Sequence, residues 1–207
     1  MAIANGYCTL AEFRAEYKKT TTTGVDDNII EALIESASRY IDNYCGRFFY
    51  KASTGLTVYY TPSFNDVIYV DDFYGLTTLK TDEDGDGTYE NTWNTGQNTG
   101  DFYLMPFNAS ILGDTGKPYT YIEVNPEGDY TFPKAPKGVQ IVGDFGWAAV
   151  PADIKVACLE IVNASYGRRS GQNMAGIAEV TAAGVVLTPA DIPQSARGIL
   201  RHYRRIV

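Results

Sequence analysis

The chain has 207 residues, of which 44% are hydrophobic and 20% are charged, as in ordinary folded globular proteins. It has no apolar run of about 18 residues and no N-terminal basic cluster followed by an apolar run, so we expect neither a membrane-spanning helix nor a signal peptide. Residues 1–150 carry 10 Lys and Arg against 21 Asp and Glu, whereas residues 151–207 carry 7 against 4, so most of the protein should repel nucleic acid.

Two helices are predicted before residue 48. Thr9 and Glu12 have the spacing of a capping box, which opens a short helix to about residue 17. Asp26 and Asp27 are expected to cap a longer helix that Gly46 ends. Apolar residues at three- and four-residue spacing form one stripe on this helix: Ile30, Leu33, Ile34, Ala37, Ile41 and Tyr44.

The periodicity between residues 48 and 147 is that of short strands. Runs rich in Val, Ile, Thr and Tyr alternate with Gly, Pro, Asn and Asp, which predicts an antiparallel module of five or six strands. The predicted strands are Leu56–Tyr60, Val67–Val70, Leu76–Thr81, Thr88–Trp93, Tyr119–Val124 and Val139–Val142, with an irregular stretch over Asn94–Pro118.

Helical signals return at Pro151, which suits a first helical turn and begins a helix to about Tyr166. Residues 170–186 are rich in small residues and are expected to form a flexible loop, and a last helix is expected from the Thr188 to Pro193 region to the terminus. The predicted fold class is therefore α+β, with a helical bundle formed by residues 1–48 and 148–207 and an inserted antiparallel β module at 49–147. The apolar stripes exceed what these helices should need to bury, so we expect a subunit interface formed by Ile30, Leu33, Ile34, Ile41, Ile154 and Ile161.

No arrangement of residues predicts an enzyme. The single histidine, His202, lies among arginines with no carboxylate nearby in sequence to orient it. Nucleophile-elbow, zinc-protease, Walker and dinucleotide motifs are absent. The three cysteines, Cys8, Cys45 and Cys158, are far apart and form no metal-binding pair, so we expect buried thiols in a reducing cytosol.

The most specific local chemistry is an acidic loop that begins at residue 82. Asp82, Asp84, Asp86 and Glu90 place oxygen donors at positions one, three, five and nine, and Gly85 and Gly87 lie between them. The twelfth position is a tryptophan, so an EF-hand is excluded, and the spacing is similar to that of shorter calcium loops in β-hairpins. Two interpretations stay open, a calcium site and a solvated hairpin turn that uses Asp and Gly for positive φ angles.

Basic residues are concentrated near the C-terminus. Arg197, Arg201, Arg204 and Arg205 follow near-helical spacing opposite the apolar face of the last predicted helix. This ridge is either a solvated helix face, a surface for an acidic protein groove, or a DNA contact. The acidic body of the chain makes the last of these the weakest interpretation.

Two stretches together resemble the bacteriophage head–tail connector family. The first runs from Tyr7 through the long helix to Phe48 and includes Ser38-Arg39-Tyr40-Ile41-Asp42-Asn43-Tyr44-Cys45-Gly46-Arg47-Phe48. The second is Phe145-Gly146-Trp147-Ala148-Ala149-Val150-Pro151-Ala152-Asp153-Ile154-Lys155, with Tyr166-Gly167-Arg168-Arg169 at the end of its helix, and an Ile192-Pro193 pair precedes the basic helix as in the family. These stretches cover about a third of the chain, and the inserted β module departs from the family pattern.

The resemblance implies a structural virion protein of the neck region, made in the bacterial host cytoplasm. Its copies would form a homo-oligomeric ring, a dodecamer in the virion, beneath the portal protein. The ring would extend the DNA channel without sequence-specific binding and meet the next connector, a stopper or a tail protein, with the terminal arginines contacting the portal. An alternative from the residues alone is calcium-dependent carbohydrate or surface binding by the β module, through the acidic loop and the aromatics Tyr59, Tyr60, Trp93 and Tyr103.

Overall fold

The computed structural model describes residues 3–17, 26–95, 100–109, 117–169, 179–180, 186–187 and 192–205. The chain divides into two compact units. Met1–Phe49 and Val150–Val207 form the first, called here the helical unit, and Tyr50–Ala149 form the second, called the β unit. Helices in one unit and an antiparallel sheet in the other confirm the predicted α+β class.

The described part of the helical unit contains four helices: α1 (Leu10–Tyr17), α2 (Asp27–Cys45), α3 (Ala152–Arg169) and α4 (Gln194–Tyr203). The predicted capping box at the start of α1 is confirmed. The Glu12 N–H donates to Thr9 Oγ1 at 3.1 Å, and the Thr9 N–H donates to Glu12 Oε2 at 2.8 Å. The arrangement satisfies two backbone groups that the first turn of a helix leaves without an intrahelical partner.

The ends of α2 agree with the sequence in position and differ in detail. Gly46 takes the left-handed conformation at φ 65° and donates its N–H to the Asp42 carbonyl at 2.8 Å, as a helix stop requires. Asp26 occupies the N-terminal cap position, but its side chain makes no capping bond. Its carboxylate instead accepts a hydrogen bond from the hydroxyl of Tyr166 on α3, at 3.1 Å.

Every helix contributes to the core of the helical unit. Phe13 of α1, Ile34 of α2, Ile154 of α3 and Leu200 of α4 are fully buried. Burial of each such side chain contributes about 1.5–3 kcal/mol relative to its exposure. The core therefore includes residues from both ends of the chain, which explains why about a hundred intervening residues can fold as a separate unit.

The described residues of the β unit form one sheet, in which every strand pair is antiparallel. Its strand order is β1-β6-β2-β5-β4, and β3 pairs with the far end of β2. The strands are β1 (Leu56–Tyr60), β2 (Val67–Thr81), β3 (Asn91–Thr92), β4 (Phe102–Met105), β5 (Tyr119–Val124) and β6 (Val139–Phe145). A further pair of short strands, β7 (Glu179–Val180) and β8 (Val186–Leu187), lies in the segment predicted as a loop, most of which is outside the described residues.

The sheet differs from the prediction in several places. The predicted strand Thr88–Trp93 is shortened to Asn91–Thr92, and the predicted strand Val139–Val142 continues to Phe145. The predicted strands Val67–Val70 and Leu76–Thr81 are parts of one 15-residue strand, β2, whose pairing shifts register where the two parts join. Phe102–Met105 is a strand, although the sequence around it predicted irregular structure. β4 pairs along its length with β5 and forms one edge of the sheet.

The β unit has its own aromatic core. Trp93 is 2% exposed, stacks on Phe132 with ring centroids 4.8 Å apart, and donates from Nε1 to Thr81 Oγ1 at 3.0 Å. The long strand β2 also carries a buried carboxylate, that of Asp72, which accepts a hydrogen bond from Trp147 Nε1 at 3.0 Å. In the part of the chain that the structure describes, no helix is both long enough and apolar enough to cross a membrane.

Candidate functional site

The acidic loop between β2 and β3 brings together the four carboxylates that its sequence singled out. One oxygen from each of Asp82, Asp84, Asp86 and Glu90 lies within 4.8 Å of the others. Asp82 is 3% exposed, whereas the other three are exposed. Within the described ranges this is the one group of three or more such ligands that converges in this way.

The backbone of the loop is held by the same carboxylates. Asp82 accepts hydrogen bonds from the N–H groups of Gly85 at 2.7 Å and Gly87 at 2.9 Å. Both glycines have positive φ, 79° and 92°, where a side chain would strain the backbone. Asp86 accepts from the Thr88 N–H at 2.7 Å. These bonds account for the loop as a turn without any ion.

The separation of the oxygens also fits a calcium ion. Calcium–oxygen distances of about 2.3–2.6 Å allow ligand oxygens up to about 5 Å apart across the ion. The four carboxylates would supply hard oxygen donors and cancel part of their mutual repulsion by holding the cation. Calcium at this loop therefore stays a prediction, and so does the plain turn.

The terminal arginines are divided between a helix and the segment that follows it. Arg197 and Arg201 are exposed one turn apart on α4. Arg204 has extended backbone and ends the helix, and Arg205 donates its N–H to the Cys45 carbonyl at 2.8 Å. The predicted helix thus stops earlier than expected. The described basic surface consists of Arg197 and Arg201 on the helix and Arg204 just past its end.

The residues predicted as a subunit interface lie almost entirely inside the helical unit. Five of the six are at most 6% exposed within a single copy, and only Leu33 is half-buried: Ile30, Ile34, Ile41, Ile154 and Ile161 are the buried ones. The helices of one chain cover these stripes, so the expectation that the stripes exceed the needs of one copy is corrected. These side chains cannot present themselves to a sister copy without unfolding their own core.

The exposed apolar surface of the helical unit is elsewhere. Ile29 on α2 is 37% exposed and Val156 on α3 is 47% exposed. A groove of about 220 Å³ also opens between α2 and α3. Its described lining is mixed apolar and polar: Leu33, Ser36, Ala37, Tyr40, Ile161, Ser165, Arg168 and Ile192.

A polar cluster on α2 holds the N-terminal segment. The Tyr7 hydroxyl donates to the Asp42 carboxylate and accepts the Phe49 N–H at 2.7 Å. Arg39 pairs with Asp42 at 2.8 Å and with Glu35 at 2.9 Å. Burial raises the pKa of Asp42 despite these partners, and burial with the Asp42 hydrogen bond raises the pKa of Tyr7. The cluster is a structural anchor because each group has a partner within the fold.

The single histidine and the three cysteines had no predicted partner, and two of the cysteines do meet in the fold. His202 is exposed on α4. The three cysteines are free and buried, as predicted. No sequence pattern predicts that Cys8 and Cys158 meet, yet their sulfur atoms lie 3.6 Å apart.

The aromatics that suggested a carbohydrate platform are not all available. Trp93 belongs to the core of the β unit, so it cannot stack on a ligand. Tyr59 is 47% exposed and lies against Tyr89 of the acidic loop, with ring centroids 5.7 Å apart. Tyr69 on β2 is exposed and lies beside the half-buried Tyr121 on β5, with ring centroids 5.7 Å apart.

No protein-family model matches the chain, and no curated protein matches it. Solved structures do share its fold. One similar chain belongs to the neck of an empty GTA particle computed with C6 symmetry, with 17% sequence identity and a TM-score of 0.56. A second belongs to the virion of a native gene transfer agent (GTA) particle, with 16% identity and a TM-score of 0.56. Each match covers 100% of this chain and 94% of the other. At these identities the likeness establishes a shared fold, including the β unit that departs from the expected connector pattern.

Proposed function

We propose that this chain is a non-enzymatic structural subunit of the neck of a phage-like particle. In this role its copies form a ring, a dodecamer, beneath a portal protein and extend the DNA channel toward a stopper or tail protein. The observation that carries the proposal is the likeness to GTA neck and virion chains over nearly the whole length of both partners. A six-fold neck, as described for one of those particles, accommodates a ring of this kind.

The charge of the two units supports passage of DNA without adhesion. The β unit has 5 lysines, no arginine and 14 Asp and Glu residues, a net charge of −9. The helical unit has 12 Lys and Arg against 11 Asp and Glu, a net charge of +1. A protein so poor in positive charge lacks a broad phosphate-binding surface, so DNA is a passenger rather than a ligand.

The arginines of α4 are the residues we propose for portal docking. Arg197 and Arg201 are exposed on one helix face, and a guanidinium binds carboxylates through paired hydrogen bonds. The expected portal surface is therefore acidic. Because such contacts are formed at a charged surface, the association should weaken as salt is raised.

A reversal of charge tests the docking role. R197E/R201E should lower the affinity for portal at least about tenfold and leave the circular dichroism of the free protein unchanged. K117E/K134E, which makes the same total change of charge on exposed lysines of the β unit, is the matched control. Negative-stain electron microscopy and co-sedimentation with portal supply the measurements. Equal loss in both variants would show that only net charge matters and would contradict a specific surface.

The ring itself is tested by electron microscopy of the wild-type chain with and without portal. Rings that appear with portal support the proposal, and a chain that stays monomeric and off the portal at all concentrations contradicts it. A second candidate, calcium-dependent carbohydrate or surface binding, keeps one favourable observation, the exposed Tyr59 beside the acidic loop. Calorimetry with calcium followed by a glycan array tests this second candidate. No heat of binding and no bound glycan would contradict it.

A further inference from the structure

Two buried thiols meet in the core of the helical unit. The Sγ atoms of Cys8 and Cys158 are 3.6 Å apart, although the residues are 150 positions apart in sequence. Cys8 is 2% exposed and Cys158 is fully buried. A disulfide has a sulfur–sulfur distance of about 2.05 Å, so the two atoms need to approach each other by about 1.5 Å.

Contacts with Ser38 hold the two cysteines next to each other. The N–H of Tyr7, next to Cys8, donates to Ser38 Oγ at 3.0 Å, and Ser38 Oγ donates to the Ile34 carbonyl at 2.8 Å. The same Ser38 oxygen lies 3.7 Å from Cys158 Sγ. The N-terminal segment and α3 are therefore both fixed to one point on α2.

The pair is also chemically asymmetric. The hydrogen bond with Cys8 is the largest effect on the pKa of Cys158 and lowers it, against the opposing effect of burial. The hydrogen bond to Cys158, together with burial, raises the pKa of Cys8.

We propose that Cys8 and Cys158 form an intramolecular disulfide under oxidising conditions, which ties the N-terminal segment covalently to α3. The oxidant is a low-molecular-weight disulfide such as oxidised glutathione. This inference is separate from the proposed neck function, since it depends only on the geometry of the helical unit.

The reaction proceeds by two thiol–disulfide exchanges. When the N-terminal segment opens, the Cys8 thiolate attacks one sulfur of oxidised glutathione, breaks its S–S bond and releases one glutathione thiolate. When the segment closes, the Cys158 thiolate attacks the Cys8 sulfur, forms the protein disulfide and releases the second glutathione. The protein loses two protons and two electrons, and the small disulfide becomes two thiols.

The third cysteine supplies a control within the same core. Cys45 is fully buried and its Sγ lies 3.7 Å from the Leu200 carbonyl. A C45S variant should therefore oxidise as the wild type does. C8S and C158S should each fail to form the crosslink.

The experiment treats the full chain with oxidised glutathione and maps the products by non-reducing mass spectrometry. The expected result, in wild type and in C45S, is a mass loss of about 2 Da and a peptide containing Cys8 joined to one containing Cys158. The melting midpoint should rise by roughly 5–15 °C and fall back on reduction, since the bond closes a long loop in the unfolded chain.

Three results would each overturn the proposal. Persistent glutathione adducts without the Cys8 to Cys158 peptide, or a crosslink that involves Cys45, would show that the two thiols do not reach bonding geometry. So would thiols that stay reduced although the segment opens, as measured by hydrogen exchange of residues 3–9. If C8S or C158S fails to fold, the peptide map of C45S alone still decides.

Discussion

The substitution I34A tests whether the apolar stripe of α2 belongs to one copy of the chain. Ile34 is fully buried within a single copy. The change removes three carbon groups, each contributing about 0.8 kcal/mol when buried, and leaves a cavity that adds to the loss. We expect unfolding to become easier by roughly 3–4 kcal/mol, which lowers the melting midpoint by on the order of 10 °C.

The assay is thermal and urea unfolding of the monomer at low concentration, with I29A as the matched control. Ile29 is on the same helix but 37% exposed, so the same substitution there should cost less than about 1 kcal/mol. If I34A melts like the wild type but no longer assembles, Ile34 serves a neighbouring copy and the reasoning from its burial is refuted. Equal costs for the two variants would refute it as well.

Three other changes have defined expectations. Y7F removes the hydroxyl that accepts the Phe49 N–H, so urea unfolding should show a loss of about 1–3 kcal/mol, and no change would mean that water replaces it. The pKa of Glu12 is lowered chiefly by its lysine partner on α3, so its stabilisation is present above the unfolded value of about 4.3 and is lost as pH falls below it. E12Q should lose less stability than wild type on acidification, by under about 1 kcal/mol because the pair is exposed. Calcium at ten times the wild-type dissociation constant should stabilise wild type and E83Q by about 1.4 kcal/mol but not D86A, which lacks a side-chain oxygen at that position, and no shift in any of them favours the plain turn.

The helix ends were the most predictable part of the fold because their signals are local. Thr9 with Glu12, and Gly46 alone, determine hydrogen bonds within one turn of the helix, and the structure shows those bonds. Asp26 shows the limit of such signals. Its carboxylate has a partner on α3, and a contact 140 residues away in sequence takes precedence over capping.

The long strand β2 could not be predicted because its middle looks like a turn. Asp71, Asp72 and Gly75 interrupt the apolar alternation, and these residue types are depleted in strands. The strand continues because Trp147 and the N–H of Gly146, at 2.6 Å, bond to the side chain and carbonyl of Asp72. β4 was missed for a related reason, since four residues give too short a pattern and only pairing with β5 defines them.

Of the candidate sites, those formed by residues close in sequence were predictable and those formed by the fold were not. The acidic loop was predictable because its ligands lie within nine residues and the chain between them has few options. The interface was not, because a helical stripe shows which side is buried but not what covers it. No sequence motif indicates that Cys8 and Cys158 pair. Their separation in sequence exceeds any motif, and only the fold brings them together.

The start and end of the β unit lie side by side, which explains how one chain can carry two cores. Lys51 bridges Gly146, and the Ala52 N–H donates to the Phe145 carbonyl at 3.1 Å. An insertion whose two ends meet requires its host only to open one connection, so the helical unit need not change its own packing to carry it. The β unit has no arginine and a net charge of −9, whereas the helical unit has a net charge of +1. The two units therefore differ in the charge of the partners they can attract. In the proposed neck function, the helical unit supplies the docking arginines and the β unit supplies most of the negative charge.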